Sequence, residues 1–292
     1  MPRRGGSPSG GRTYHSAGGA DTAAGVDVGA TLAKAVLRGA DGSLDFRLGP
    51  ARALDDLVRG IADAAPRSIG LTGGGAEAVQ ARLGGAGVRV NEFAAWGAGA
   101  SALLRDQAHS ATGRHLVVSV GTGTSVMLAD GLSTSRLGGT ALGGGTVVGL
   151  GSALLGSHRF EEIVDLAARG DRRRVDLLVS DIYRAGEIPL PSDLTAANFG
   201  RLGRNGEKLP SREDLAHAIM GLVGENIALV CAGLSAAAQV PRIVFGGSTL
   251  RANPTLQEIL GRITSAVGRE PVFLREGEFA GALGSLLLAA GG

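Results

Sequence analysis

Two stretches of this chain repeat one pattern, and that repeat limits the possible folds more than any other feature. Residues 25–36 read GVDVGATLAKAV, and residues 115–131 read HLVVSVGTGTSVMLADG. Each is an apolar strand, a tight turn of small residues and a second apolar strand, which predicts an antiparallel hairpin. After the first hairpin, Ala40, Asp41 and Gly42 mark another turn, and a third strand runs to Phe46. Apolar spacing near 3.6 predicts a helix over residues 51–64, stopped by Pro66. A strand SIGLTGGG, a helix AEAVQARLGG, a strand VRVNEF and a helix over 93–107 follow.

The series then restarts at His115. Behind the second hairpin come a glycine-rich segment, GGTALGGGTVVG (138–149), and helices near 145–156 and 159–168. A loop rich in Pro and Asn covers 186–211, and a long helix covers 212–239. Strand RIVFGG, a helix over 253–266, strand PVFLRE and a helix over 278–290 close the chain. Two hairpins, each followed by alternating helices and strands, predict two α/β domains facing each other across a cleft. Within each, parallel strands are joined by right-handed crossovers. The boundaries fall at 25–110 and 111–292, with residues 1–24 read as a disordered tail of Gly, Ser, Pro and Arg.

Composition excludes several function classes. The formal charge of +2 equals that of the tail alone, which has three arginines and one aspartate. The folded body is therefore near neutral and has no basic face for nucleic acid. No run approaches eighteen uninterrupted apolar residues, so no membrane span is expected. The tail has no apolar stretch of the kind a secretory signal needs. A single cysteine, Cys231, excludes a disulfide within the chain, fits a cytoplasmic location and reads as a small core residue. The histidines show no metal-ligand spacing. The arginine run at 172–174 reads as a solvated helix start. Lys34 and Lys208 are the only lysines beside twenty-seven arginines, so an ammonium in an apolar strand stands out.

Turns of small residues expose backbone N–H groups that can surround a phosphate. Asp27 would repel phosphates unless a cation intervenes, and Mg²⁺ with part of its water shell suits that place. Lys34, on the return strand, is within reach of a transferred phosphate. The chain has neither a GxxxxGK[ST] loop nor a GxGxxG turn after its first strand.

The ordered set DVGATLAK, NEF, GTGTS, RLGGTALGGGTVVGL, FEEIVDLAARGDRRRVDLLVSDIY, PLPSDLTAANFG, FGGSTLRANP and GEFAGALGSLLL resembles type II pantothenate kinase. That family lies within the acetate/sugar kinase–Hsp70–actin superfamily. The resemblance covers about Gly25 to Ala289. It implies a two-domain actin-like ATPase (ribonuclease H-like) fold with an interdomain nucleotide cleft. It also implies transfer of the ATP γ-phosphate to the primary hydroxyl of pantothenate, the first step of coenzyme A synthesis.

Carried over by motif, Glu92 is the base that accepts the hydroxyl proton, and Arg136 lies at the substrate pocket. The first turn, Asp27, Val28, Gly29, Ala30, Thr31, Leu32, Ala33 and Lys34, matches the nucleotide site, with Asp27 toward the metal. Ala30 stands where the family pattern has a second glycine, and a positive φ there would cost an alanine about 1 kcal/mol. Thr122, Gly143, Gly144, Gly145, Thr146, Val147, Phe160 and Ser248 match nucleotide contacts. Ser125 matches a substrate contact. The loop Asp193–Gly200, with Thr195 and Ala196, resembles one that completes the pantothenate pocket of a partner subunit, which implies a homodimer. The resemblance raises CoA or acyl-CoA as a feedback ligand, and this sequence leaves that open. Trp96 is not a residue the resemblance leads one to expect after Glu92. Two other readings stay open: a kinase of the same fold for an N-acetylhexosamine or pantetheine, and a catalytically silent acyl-CoA-binding relative.

Overall fold

The structure, a computed structural model, describes residues 12–13, 21–109, 113–131, 133–184, 186–188, 192, 194–203 and 210–291. Residues 1–11, 14–20, Asp193 and Lys208 lie outside the described set. The chain divides into two units. The first holds the described residues of 1–113, 131–135 and 275–292, and the second those of 114–130 and 136–274.

The first unit is built on a six-stranded sheet of β1 (Arg12–Thr13), β2 (Ala23–Val28), β3 (Leu32–Arg38), β4 (Ser43–Pro50), β5 (Ser68–Thr72) and β6 (Val88–Arg89), in the order β1-β4-β3-β2-β5-β6. The three pairings from β1 to β2 are antiparallel, and β2–β5 and β5–β6 are parallel. Helices α1 (Leu54–Ala64), α2 (Ala76–Arg82) and α3 (Glu92–Asp106) belong to it. Strand residues alternate between faces. Ala24, Val26 and Val28 of β2, with Ala33, Ala35 and Leu37 of β3, join Leu54, Ile61 and Val79 of α1 and α2 in one core.

The second unit carries β7 (His115–Val120), β8 (Thr124–Asp130) and, from Arg136 on, β9 (Ser133–Thr140), then α4 (Gly144–Leu155) and α5 (Phe160–Ala167). Next come the short pair β10 (Leu177–Leu178) and β11 (Thr195–Ala197), the long α6 (Arg212–Ala238), β12 (Arg242–Gly246), α7 (Pro254–Ala266) and β13 (Glu270–Phe273). Its main sheet is ordered β13-β12-β7-β8-β9. Central β7 pairs antiparallel with β8 and parallel with β12, just as β2 pairs with β3 and β5. The predicted duplication is therefore present as topology. Cys231 and the other inner residues of α6 sit in the core with Leu116, Val118, Ile243 and Phe245, and burial pushes the Cys231 thiol up to about 12. Among the described residues α6 is the one helix long and apolar enough to cross a membrane.

The last helix, α8 (Ala280–Ala290), joins the first unit although it ends the chain. It lies on the face of β2 and β5 that carries Gly25 and Gly70, registered opposite each other. A side chain on Gly25 would strike Ala282 and Leu286, and one on Gly70 would strike Ser285. The paired glycines make the notch that α8 fills, and Ser285 Oγ donates to Gly70 O at 3.2 Å. On its other side α8 meets α3 backbone to backbone, through Gly99 against Ala280 and Gly284 against Ala95.

Three local expectations differ from the structure. The strand expected over VRVNEF is only Val88–Arg89 long. Glu92 is not its end but the first residue of α3, because Asn91 Oδ1 accepts from the N–H groups of Phe93 and Ala94 at 3.0 and 3.1 Å and starts the helix there. The segment Ser133–Thr140 is a strand rather than a connection into the glycine run. The loop over 186–211 includes β11, which pairs antiparallel with β10.

Candidate active site

In the first unit the site grows from strand register. Asp27 and Lys34 are opposite each other in the β2–β3 pairing, so both side chains leave the same face, the one α8 covers. Both are buried, at 4% and 8% exposure. Lys34 Nζ stands 3.4 Å from Asp27 Oδ2, longer than a tight charged hydrogen bond. Burial raises the Asp27 pKa, and the Lys34 ammonium partly offsets it.

Two glycines let the backbone pass close to this carboxylate. A side chain on Gly73, whose φ is +83°, would begin 2.6 Å from Asp27 Oδ1. One on Gly281 would begin 2.8 Å from Asp27 Oδ2 and 3.1 Å from Trp96 Nε1. Neither glycine is distinguishable from a routine turn or helix glycine by sequence spacing alone.

Glu92 is placed by the same strands. Val90 N donates to Leu71 O at 2.8 Å, and Thr72 Oγ1 donates to Val90 O at 3.0 Å. The Asn91 cap then turns the chain into α3. Glu92 is exposed at its surface, yet enough protein surrounds its carboxyl to desolvate it in part. That desolvation raises its pKa, the Asp27 carboxylate raises it further, and Lys34 pulls the other way. Glu92, Asp27 and Lys34 thus form one electrostatic group.

The remaining first-turn residues divide by burial. Val28 and Ala33 are buried in the core, Gly29 and Leu32 are half-buried, and Ala30 and Thr31 are exposed. Gly29 N donates to Leu32 O at 3.0 Å and closes the turn. Ala30 is not among the non-glycine residues with positive φ, so the methyl group carries no backbone strain.

The second unit repeats the hairpin without the charges. Gly121 N donates to Gly123 O at 2.8 Å. Gly144 N and Gly145 N, at the start of α4, donate to Gly121 O and Thr122 O at 2.8 and 2.9 Å. A side chain on Gly143 would begin 2.7 Å from both of those oxygens, so this contact needs glycine. Thr249 Oγ1 also donates to Gly121 O at 2.8 Å, and Thr249 N donates to Val120 O at 3.1 Å. Thr249 was not singled out by sequence; the neighbouring Ser248 was, and it is half-buried. The N–H groups of Gly29, Gly121, Gly144 and Gly145 are therefore used within the protein, and an anion at either turn must meet other donors. Thr122 is exposed, and Thr146 Oγ1 donates to Ala141 O at 3.3 Å. Val147 is fully buried, and Phe160 packs partly against the same core.

Arg136 is exposed on β9 and folds back beside Ser125. Its Nη2 and Ser125 Cα each lie 3.3 Å from where a Gly139 side chain would begin. Thr195 lies elsewhere in this unit, on a buried ionic network, with Ala196 exposed beside it. Arg172 Nη1 donates to Thr195 Oγ1 at 2.9 Å, and Arg172 Nη2 to Glu225 Oε1 at 2.6 Å. Asp176 stands 3.4 Å from the same guanidinium and accepts from Phe199 N at 2.8 Å. Arg172 is thus not the solvated residue expected from its run. Arg173 and Arg174 remain exposed and pair with Asp171 and Asp214.

The family described as Fumble matches residues 100–288. The type II pantothenate kinase of Staphylococcus haemolyticus is 34% identical over 265 residues, covering 90% of this chain and 98% of that protein. The type II pantothenate kinase of Staphylococcus aureus (strain NCTC 8325 / PS 47) is 32% identical over 264 residues, with the same two coverages of 90% and 98%. Among solved structures, component A of the Acidaminococcus fermentans (R)-2-hydroxyglutaryl-CoA dehydratase aligns with a TM-score of 0.61 at 17% identity, over 93% of this chain and 98% of that one. The ROK family glucokinase of Streptomyces griseus, in complex with glucose and AMPPNP, aligns with a TM-score of 0.59 at 14% identity, over 93% and 100%. These two structures establish the actin-like two-domain α/β fold. Aligned over nine-tenths of its own length and nearly all of its staphylococcal relatives, the chain belongs to the type II pantothenate kinase family.

Proposed function

We propose that this protein transfers the γ-phosphate of ATP to the primary hydroxyl of pantothenate, giving 4′-phosphopantothenate and ADP, the first step of coenzyme A biosynthesis. Near end-to-end similarity to proteins named type II pantothenate kinase carries the substrate. The grouping of Glu92, Asp27 and Lys34 carries the chemistry.

Phosphoryl transfer to an alcohol needs a base at the hydroxyl and neutralisation of the phosphate charge. Glu92 takes the hydroxyl proton in this reading. A carboxylate held above its ordinary pKa is a better base than a free one. Lys34 balances negative charge on the Asp27 side. Arg136 and Ser125, adjacent on the second unit, receive substrate oxygens. Thr122, Thr146, Ser248 and the turn Gly143–Gly145 belong to the nucleotide side, and Phe160, Val28 and Val147 shape it from the core.

The residues fit Mg²⁺. An ionised carboxylate offers several acceptor positions, and Lys34 takes one of them at 3.4 Å. Among the described residues no three acidic, histidine or cysteine side chains cluster as a full cage. Asp27 would hold the ion with water and phosphate oxygens completing its shell. When bound, the ion shields the phosphate charges.

A homodimer is part of the proposal, with the loop bearing Thr195 and Ala196 serving the partner's pantothenate. So are a cytoplasmic location and feedback by CoA or its thioesters. The deciding experiment incubates the purified protein with Mg-ATP and either pantothenate, pantetheine or N-acetylglucosamine. ADP release and the phosphorylated product are measured by coupled assay and mass spectrometry. Turnover is expected with pantothenate. Turnover with N-acetylglucosamine alone would overturn the reading.

A further inference from the structure

The loop that carries Thr195 and Ala196 is held far more firmly than a surface loop needs. Its tip, Ala196 and Ala197, is exposed and carries only methyl groups. Beneath it lie three charges almost closed to solvent: Arg172 at 5%, Asp176 at 0% and Glu225 at 6% exposure. Glu225 projects from the middle of α6. Gly221, one turn earlier, makes room for the guanidinium, since a side chain there would begin 2.8 Å from Arg172 Nη1. Each charge reaches the loop. Glu225 accepts from Thr195 Oγ1 at 2.9 Å and from Asn198 Nδ2 at 3.3 Å. Arg172 Nη1 donates to Thr195 Oγ1 at 2.9 Å, and Asp176 Oδ1 accepts from Phe199 N at 2.8 Å. Phe199 has a φ of +59°, in the left-handed region that a bulky side chain avoids. Such a conformation persists only where its surroundings impose it, and it gathers at sites that bind. Here the Asp176 carboxylate imposes it, together with the core against which Leu194 and Phe199 pack. Burying three charges to hold a strained loop is costly, and a loop that only joined two elements would not need it.

We propose that Glu225, Arg172 and Asp176 are positioning residues for the phosphoryl acceptor, fixing residues 195–197 as a rigid wall of its pocket. This rests on the reading of that loop as part of the acceptor site. None of the three meets the acceptor itself. Each acts through Thr195, Asn198 or Phe199, so the loss of one loosens the wall and weakens acceptor binding. The base and the nucleotide turns stay as they were.

Glu225→Gln keeps one oxygen for Thr195 and sets an amide NH₂ against that of Asn198. In the full-length protein, KM for the acceptor is expected to rise at least about fivefold, the effect of one lost hydrogen bond, with KM for ATP and kcat near the wild type. Asn198→Ala removes the same bond from the half-buried loop side and should show the same split, so it decides if Glu225→Gln does not fold. A fall in melting temperature with no change in acceptor KM overturns the inference, because the network would then be structural alone. An equal rise in both KM values overturns it too. The acceptor used is whichever of pantothenate, pantetheine and N-acetylglucosamine is phosphorylated, so a wrong substrate leaves this test standing. Should none turn over, hydrogen exchange across residues 194–203 is followed with AMPPNP and each acceptor. Protection of that segment by one acceptor, weakened in Asn198→Ala, supports the inference. Protection by none, or protection unchanged in the variant, overturns it.

Discussion

Asp27 and Lys34 of the first unit and Arg172, Asp176 and Glu225 of the second are all nearly excluded from solvent, yet they are held in different ways. The first pair has one contact, at 3.4 Å, and among the described residues Lys34 is the one side chain that donates to the Asp27 carboxylate. The second group is saturated. Its guanidinium meets Glu225 at 2.6 Å and Thr195 at 2.9 Å, and Asp176 takes a backbone N–H as well. A buried charge with unused hydrogen-bonding capacity costs stability, and such a cost is retained where a ligand will later use the capacity. A saturated network has nothing left to offer a ligand, and it serves to fix the chain around it. The contrast supports the proposal that Asp27 and Lys34 serve the chemistry, while Arg172, Asp176 and Glu225 serve the architecture.

The largest effect is expected at Glu92. Glu92→Gln keeps the shape and removes the base, and kcat should fall by about 10²–10⁴-fold, while AMPPNP binding measured by calorimetry stays near that of the wild type. Substantial residual turnover would break the assignment. The pH dependence follows from sign. Glu92 holds its proton to a higher pH than an ordinary glutamate because of desolvation and Asp27. Only the ionised form is a base, so the acid limb of kcat/KM should lie above the ordinary glutamate range. The same raised pKa means that ionised Glu92 is a liability to the fold above that pKa, and its neutralisation at lower pH relieves it. Glu92→Gln should therefore not lower the melting temperature at neutral pH.

Arg172→Met is expected to reverse that pattern. It leaves Glu225 and Asp176 buried without their cation, at a cost of about 3–5 kcal/mol. Denaturant unfolding should record the loss directly. Any folded fraction should keep its acid limb of kcat/KM where the wild type has it, because Arg172 does not figure in the Glu92 electrostatics. A variant that is stable but catalytically dead would show the network to be functional.

How far the sequence announced this can be judged residue by residue. The hairpins were legible because period-two apolar runs around small turns have few other solutions. Asp27 and Lys34 were each legible, as a carboxylate beside a turn of small residues and a rare lysine on the return strand, but their pairing was not, because it comes from the β2–β3 register. The packing of α8 against β2 was not legible. It depends on Gly25 and Gly70 meeting in register, and no local pattern shows which strand will lie beside β2. Gly281 and Trp96 were missed as neighbours of Asp27 for the same reason. Arg172 was misread because a run of three arginines looks solvated, and only the fold reveals that Glu225, fifty-three positions away, turns one of them inward. Thr249 was passed over for Ser248 because a hydroxyl in a Gly-Gly-Ser-Thr turn gives no sign of which way it faces.

Gly281→Ala probes the close approach of α8 to the Asp27 carboxylate. Its methyl group would begin 2.8 Å from Oδ2, so carboxylate or helix must shift, at about 1–3 kcal/mol. The shift moves the carboxylate proposed to hold the ion, and the Mg²⁺ requirement should rise along with the loss in melting temperature. A loss in stability alone would mean that the close approach is only a packing feature.

The smallest effect tests the uncharged hairpin. Thr249→Val keeps the shape and removes the hydroxyl that donates to Gly121 O. Gly144 N still donates to that oxygen, so it is not left bare, and the loss should be about 1 kcal/mol. Thr249 N continues to bind Val120 O, which holds the turn after β12 in place. With the second hairpin tied internally at Gly121, Gly144 and Gly145, the variant should loosen the turn without touching the charged group. KM for ATP should then rise about fivefold, the equivalent of that energy, with kcat and its acid limb unmoved. Thr249→Ser, which restores the donor, should bring KM back. A fall in kcat of the size expected for Glu92→Gln would mean that the uncharged hairpin takes part in the chemical step, and the division of labour between the two hairpins would fail.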